Sequence, residues 1–149
     1  MNISDIMTEK SVFVGIKANS KRDLLQEISA QAAQALNMDE RTVFETLLER
    51  ENLGSTGFGN GTALPHGRFE NLKEVHALLF RLATPVEFDA IDGKPVDLVF
   101  VLLSPEDSGA DHLTALAKLS RILKDEALCA KLRQMSDKTD IYALLNNED

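Results

Sequence analysis

The spacing of apolar residues predicts the first elements of the chain. The β-branched run VFVGI (12–16) predicts a short strand. In the next segment, NSKRDLLQEISAQAAQAL (19–36), apolar residues recur at helical spacing, at Leu24, Leu25, Ile28 and Ala32. Ser20 is typical of a helix N-cap, and Asp39 can cap a second helix, DERTVFETLLER (39–50). The chain therefore begins with a strand and two helices.

Two later segments are apolar at nearly every position. VHALLFRL (75–82) and VDLVFVLL (96–103) have the pattern of strands that are covered by helices on both sides. Asp92 and Gly93 predict a turn between them. The rest of the chain predicts three helices, over 111–124, 125–135 and 140–147. These elements predict an α/β fold, a mixed β-sheet flanked by helices on both faces.

Composition limits the class of protein. A chain of 149 residues with 44% apolar and 27% charged residues is typical of one globular domain, and no linker divides residues 1–149. No run approaches the roughly 18 apolar residues of a membrane helix, and the start lacks a secretory signal, so we expect a cytoplasmic protein without membrane insertion. Because Cys129 is the only cysteine, the chain cannot form an internal disulfide. We expect Cys129 to be a buried helix residue.

The net charge narrows the choice of partners. At pH 7 the chain carries −8, and it has no basic stripe of the kind that binds a phosphate backbone. We therefore expect no nucleic acid partner. The acidic surface either attracts basic proteins or serves only solubility.

Five of the eight glycines fall in GSTGFGNGTALPHGR (54–68). This segment is not a nucleotide-binding P-loop, because threonine and alanine follow Gly61 where lysine and Ser or Thr are required. Nor does the spacing of Gly57, Gly59 and Gly61, after a helix, fit a dinucleotide fingerprint. Two interpretations remain, a nest of amides that binds a small anion and a connection that needs tight turns. The candidate amides belong to Gly54, Ser55, Thr56, Gly57, Gly59, Asn60 and Gly61.

His66 lies between Pro65 and Gly67, so its backbone is restricted on one side and its ring has space on the other. An imidazole with an ordinary pKa of about 6.5 is largely neutral and nucleophilic at cytoplasmic pH. The competing interpretation is a structural or merely exposed histidine. The choice between them depends on the residues that surround the ring.

Helix geometry predicts two neighbours for such a site. At about 100° per residue, Arg50 falls alongside Val43 and Leu47 on the apolar side of the second helix. The alternative is a solvated arginine at a frayed helix end. His112 falls on the apolar side of the helix over 111–124, at an N-terminus where unpaired amides and the helix dipole favour an anion.

Two histidines, an arginine, a nest of amides and a helix start suit a phosphoryl group carried on histidine. Phosphoryl transfer depends on positioning and on neutralising the equatorial oxygens, which are tasks for Arg50, His112 and the amides, while His66 supplies the attacking nitrogen. Zinc is the alternative, but His66, His76 and His112 lack the close pair spacing of zinc motifs. We predict no metal and no cofactor, and a structural role for His76.

The segment RENLGSTGFGNGTALPHGR (50–68) closely resembles the phosphorylation-site signature of the fructose and mannitol class of enzyme IIA in the bacterial phosphotransferase system. The resemblance continues through 88–105 and 111–123 and covers nearly the whole chain. It implies a mannitol-type IIA fold and an HPr-like phosphocarrier as donor. It also implies that His66 accepts the phosphoryl group, that His112 contacts it and that Arg50 lies beside it.

Within this class the sequence is most similar to the nitrogen-related regulatory IIA proteins, because it contains the motifs GSTG (54–57) and PHGR (65–68) and the segment IDGKPVDLVF (91–100). That resemblance implies contacts with regulatory target proteins, including potassium transport or sensor proteins, that phosphorylation switches. The alternative is a sugar-specific fructose or mannitol IIA that passes the phosphoryl group to a IIB domain. A third hypothesis is a pure interaction module whose histidine site is inactive.

Overall fold

Six strands form one mixed sheet in the computed structural model, which describes residues 1–147. The strands are Val12–Ile16 (β1), Gly57–Gly59 (β2), Thr62–Ala63 (β3), His66–Phe69 (β4), His76–Val86 (β5) and Val96–Pro105 (β6). A short 3-10 turn, Glu9–Ser11, precedes β1. The helices are Ile3–Ile6 (α1), Lys21–Leu36 (α2), Glu40–Asn52 (α3), Ala110–Lys124 (α4), Glu126–Gln134 (α5) and Lys138–Asn147 (α6).

Strand β6 lies at the centre of the sheet, whose order is β1-β5-β6-β3-β2. It pairs antiparallel with β5 on one side and parallel with both β3 and β4 on the other. Strand β1 runs parallel to β5, and β2 runs antiparallel to β3. The predicted mixed sheet is confirmed.

The apolar residues of β6 alternate between two buried clusters, because successive side chains of a strand point to opposite faces. Phe100 and Leu102 pack in the cluster that includes residues of α1, α4, α5 and α6. Val99 and Val101 pack in the cluster that includes residues of α2 and α3. Helices therefore cover both faces of the sheet, as predicted. Packing on both faces fixes the position of β6.

The predicted local signals of the helices are also found. The Ser20 hydroxyl accepts a hydrogen bond from the amide of Asp23 at 3.0 Å, and the Asp39 carboxylate accepts one from the amide of Thr42 at 3.0 Å. Cys129 lies in α5 and is only 2% exposed, so the expected buried helix residue is confirmed. Between residues 1 and 147, no helix has both the length and the apolar character needed to cross a bilayer.

The glycine segment differs from its predicted form. Instead of one irregular loop it contains the three short strands β2, β3 and β4. Two of them follow β6 in register, with Ala63 beside Val99 and His66 beside Leu102, and the Pro65 carbonyl accepts a hydrogen bond from the Leu102 amide. This long-range pairing places His66 near the C-terminal end of β6.

Candidate functional site

A cavity of about 550 Å³ opens beside His66, where α3, β4 and the start of α4 meet. Its lining residues are Thr46, Glu49, Arg50, Leu53, His66, Gly67, Arg68 and His112. The structure thus brings together the two histidines and the arginine that the sequence analysis singled out. A second arginine, Arg68, also lines the cavity. It lies two residues after His66 on β4, so both side chains are on the same face of the strand, because side chains alternate along a strand.

His66 is the first residue of β4 and is half-buried. Its Nδ1 lies 2.9 Å from the Leu64 carbonyl oxygen. Because a carbonyl only accepts, Nδ1 carries the proton of the neutral ring and Nε2 keeps a free lone pair. Burial, with a smaller effect of the Arg50 charge, lowers the pKa of His66, while the Leu64 hydrogen bond and the Glu51 charge oppose this. The ring is therefore neutral near pH 7 and carries its lone pair on Nε2.

His112 lies in the first turn of α4 and is 5% exposed. Its ring centroid is 5.9 Å from that of His66, and its Nδ1 lies 2.6 Å from the Ser104 hydroxyl oxygen. Burial, followed by the positive charge of Arg68 and then by His66, lowers the pKa of His112 to about 4. The ring is neutral at physiological pH. When the Ser104 hydroxyl donates to Nδ1, the ring proton is on Nε2, where it can be donated to a ligand.

Arg50 lies near the end of α3 and lines the cavity. Its Nη1 donates to the Gly54 carbonyl oxygen at 2.9 Å, a contact that turns the side chain back over the following residues. No carboxylate of residues 1–147 lies within ion-pair distance of it. The guanidinium charge is therefore available to an anion bound beside His66.

A buried carboxylate fixes the end of α3. Glu51, whose side chain is 1% exposed, pairs with the Lys21 ammonium at 3.0 Å. It also accepts hydrogen bonds from the Thr56 amide at 3.0 Å and from the Thr56 hydroxyl. A buried charge is tolerated when it is paired and hydrogen-bonded in this way. The network holds α3 against the segment that leads to β2, so it sets the position of Arg50.

The glycine-rich amides do not surround the cavity. Residues 54–61 are absent from its lining, and the only contribution of Gly54 is the carbonyl that receives Arg50. Four of the seven candidate amides have partners within the protein: Gly54 donates to the Glu51 carbonyl, Thr56 to the Glu51 carboxylate, Gly57 to the Ser55 hydroxyl and Asn60 to the Asp92 carboxylate.

The seven residues of the predicted nest, Gly54, Ser55, Thr56, Gly57, Gly59, Asn60 and Gly61, thus lie outside the cavity lining, and their binding of an anion stays a prediction. The physical reason is that β2 and β3 form a hairpin beside the beginning of β6, next to Leu98, whereas His66 lies beside Leu102. Four residues of strand separate the two places by about 13 Å.

Two polar residues of the site escaped the sequence analysis. Arg68 lines the cavity, and Ser104 is fully buried against His112. Recognising HGRF (66–69) as a strand would have placed Arg68 on the face of His66. Ser104 gave no local signal, because its contact with His112 joins the end of β6 to α4.

His76 lies apart from the other two histidines. It is the half-buried first residue of β5 and lines a separate cavity of about 370 Å³. Burial lowers its pKa, and the Glu74 charge opposes this shift. Throughout the described residues 1–147, no group of three or more His, Cys, Asp or Glu side chains is arranged to hold a metal ion.

Known proteins resemble this chain over nearly its whole length. Residues 5–148 match the family described as phosphoenolpyruvate-dependent sugar phosphotransferase system, EIIA 2. A nitrogen regulatory protein of Bradyrhizobium diazoefficiens is 46% identical over 145 residues, which are 97% of this chain and 95% of that protein. The crystal structure of nitrogen regulatory protein IIA-Ntr from Neisseria meningitidis has a TM-score of 0.89 and 36% identity, and the match covers 96% of this chain and 98% of that one.

The fold extends to a sugar-specific protein. In the complex of enzyme IIAMTL and phosphorylated enzyme IIBMTL from Escherichia coli, the matched chain has a TM-score of 0.80 at 19% identity. The match covers 95% of this chain and 97% of that one, which confirms the mannitol-type IIA fold. A family match over residues 5–148 and a relative that is 46% identical over 97% of this chain show that the chain belongs to the EIIA 2 family of the phosphotransferase system.

Proposed function

We propose that this protein is a cytoplasmic phosphohistidine carrier that accepts a phosphoryl group from an HPr-like phosphocarrier on Nε2 of His66. Through contacts that depend on phosphorylation, it acts as a nitrogen-related regulatory IIA protein. The observation that carries the proposal is the hydrogen bond from His66 Nδ1 to the Leu64 carbonyl oxygen. It leaves a neutral ring in a cavity with its nucleophilic nitrogen free.

The transfer step needs no proton to move at His66. The bond between phosphorus and the imidazole of the carrier breaks, its electron pair stays on the carrier ring, and Nε2 of His66 forms the new bond to phosphorus. The His66 ring then bears a proton on Nδ1 and a phosphoryl group on Nε2, so it is formally cationic. The Leu64 carbonyl, 2.9 Å from Nδ1, stabilises that positive charge.

The neighbours neutralise the transferred group. Arg50 has no carboxylate partner within residues 1–147, and its guanidinium can donate to the equatorial oxygens. His112 can donate from Nε2, since Ser104 occupies Nδ1. The first-turn amides of α4 add the favourable field of a helix N-terminus. In this proposal Arg50 and His112 bind the phosphoryl group, and His66 alone bonds to it.

Regulation is the preferred role because the relatives that share 46% and 36% of the sequence are named as nitrogen regulatory proteins. Phosphorylation adds about two negative charges beside Arg50 and His112, which changes the surface that a partner meets. The proposed binding partners are regulatory target proteins, including potassium transport or sensor proteins, whose contact with this protein depends on its phosphorylation. In the sugar-specific alternative, a IIB domain receives the phosphoryl group, as the pairing of the mannitol relative with phosphorylated IIB suggests.

The experiment is incubation with a radiolabelled, phosphorylated HPr-like carrier. We expect an acid-labile adduct on the wild-type protein and none on His66→Ala. His112→Ala should still accept the label but at least about tenfold more slowly, because a donor to the transferring group is lost. His76→Ala is the matched control, since His76 lines a different cavity, and it should accept label like the wild type.

Uptake of label by folded His66→Ala at normal stoichiometry would overturn the assignment. Complete loss of acceptance in folded His112→Ala would show that the two roles are reversed. If folded wild-type protein takes no label from any carrier in a cell extract, the inactive interaction module is the better hypothesis. Rapid transfer from the labelled protein to a fructose or mannitol IIB domain would favour the sugar-specific alternative.

A further inference from the structure

Arg68 is placed to reach the same ligand as His66. It follows His66 by two residues on β4, so both side chains leave the same face of the strand. Both also line the 550 Å³ cavity, together with His112. Unlike the half-buried His66 ring, Arg68 is exposed, so its side chain is free to move at the mouth of the cavity.

The present contacts of Arg68 are weak. Its Nη1 donates to the Glu106 carbonyl oxygen and to the Ser108 hydroxyl oxygen, both at 3.3 Å, near the long end of the range for such bonds. No carboxylate of residues 1–147 forms an ion pair with it, whereas Arg133 pairs with Asp97 at 2.9 Å. A guanidinium has five N–H donors, and here a single nitrogen is engaged with neutral groups.

The charge of Arg68 also acts at the centre of the site. Burial is the main cause of the lowered pKa of His112, and among the neighbouring charges that of Arg68 contributes most. The His112 ring is 5.9 Å from the His66 ring, so an anion on His66 lies within the range of the same charge. Arg50 approaches the cavity from α3 and Arg68 from β4, on separate elements. Two cations are then available for a group of charge about −2.

We propose that Arg68 is a second phosphoryl-binding cation, which leaves the Glu106 carbonyl and the Ser108 hydroxyl to bind the phosphoryl group when His66 carries it. The exchange replaces two long hydrogen bonds to uncharged acceptors with hydrogen bonds to an anionic acceptor, which are shorter and stronger. It also frees residues 106–108, the segment between β6 and α4, in the phosphorylated state. Through Arg68, phosphorylation of His66 thereby changes the contacts of residues 106–108 at the surface beside the cavity. The inference rests on the proposed function of His66.

The test compares Arg68→Gln and Arg68→Lys with the wild type in single-turnover acceptance from the phosphorylated carrier. We expect Arg68→Gln to be slower by at least about tenfold, since one donor to the transferring group is lost. Arg68→Lys should recover part of the rate because it keeps the charge without the planar fork. The control is Arg81→Gln. It removes an arginine that also donates two long hydrogen bonds from Nη1, in its case to the main-chain carbonyls of Leu132 and Arg133, but that lies on β5 outside the cavity. It should accept phosphoryl at the wild-type rate.

A second readout separates ligand binding from support of the loop. Phosphorylation should shift the amide resonances of Asp107 and Ser108 in the wild type but not in Arg68→Gln. In the unphosphorylated protein, Arg68→Gln should raise the pKa of His112, because the Arg68 charge lowers it. Ser108→Ala removes one loop contact and keeps the cation, so it should accept phosphoryl at the wild-type rate.

Wild-type acceptance by Arg68→Gln overturns the proposal for Arg68 and leaves that for His66 intact. Equal slowing by Ser108→Ala and Arg68→Gln also overturns it, since the arginine would then act only by holding the loop. Failure of the wild type to take label on His66 overturns both proposals.

Discussion

At the scale of single residues, the cavity is lined by two neutral imidazoles whose hydrogen-bond partners allow opposite protonation. The Leu64 carbonyl keeps the proton of His66 on Nδ1, and the Ser104 hydroxyl can keep that of His112 on Nε2. Burial disfavours the charged form of both rings, and a neighbouring arginine adds to the effect in each case. One ring thus offers a lone pair and the other a donor within one cavity. Residue type and hydrogen-bond partner together determine this division.

The lowered pKa of His66 predicts how acceptance depends on pH. Protonation of Nε2 removes its lone pair, so the protein is active above this pKa and loses activity as pH falls through it. Because the pKa is lowered, the midpoint should lie below the value of about 6.5 for an ordinary histidine. Arg50→Gln removes a positive charge that lowers this pKa, so its midpoint should be higher. NMR titration of the His66 ring carbons measures both midpoints.

Arg41→Gln is the control for that titration, because Arg41 is exposed and paired with Glu45 outside the cavity, and its midpoint should match the wild type. A wild-type midpoint at or above that of an ordinary histidine would contradict the account of the site. So would an Arg50→Gln midpoint equal to that of the wild type.

At the scale of elements, the hairpin β2–β3 explains why glycine recurs after α3. A Cβ on Gly57 would lie 2.8 Å from the Ala90 Cβ and 2.9 Å from its Cα. A Cβ on Gly61, which has φ of +79°, would lie 2.7 Å from the Arg133 guanidinium. The hairpin needs glycine in order to pack against its neighbours, while the Arg133–Asp97 pair holds its tip through the Asn60 carbonyl. Gly57 and Gly61 are therefore needed for the packing of this hairpin.

Gly57→Ala should therefore destabilise the protein without impairing the site. We expect a loss of at least about 2 kcal/mol in the free energy of unfolding, because the new Cβ meets backbone. Gly93→Ala is the control: Gly93 has open space around it and a positive φ of +74°, so only backbone strain of about 1 kcal/mol applies. Denaturant unfolding measures both. The folded fraction of Gly57→Ala should accept phosphoryl at the wild-type rate, whereas slowed acceptance at wild-type stability would restore the amide nest.

At the scale of the whole molecule, the sequence predicted what depends on local pattern. Apolar runs identified β1, β5 and β6, and helical spacing identified α2 to α6. The same spacing placed Arg50 and His112 on the apolar sides of their helices, and both line the cavity. Contacts between distant segments were not predictable. The pairing of His66 with Leu102 places β4 alongside β6. The same register puts Arg68, which lines the cavity, beside Ser104, which contacts His112. Neither pairing can be predicted from the residues near it in the sequence.

The proposed function depends most on which atom of the protein bears the phosphoryl group. The most direct measurement is NMR of the protein labelled with ¹⁵N and phosphorylated by its carrier, in which coupling between ³¹P and ¹⁵N identifies the bonded nitrogen. We predict coupling to Nε2 of His66, with the proton still on Nδ1. Coupling to Nδ1 of His66, or to either nitrogen of His112, would contradict the account.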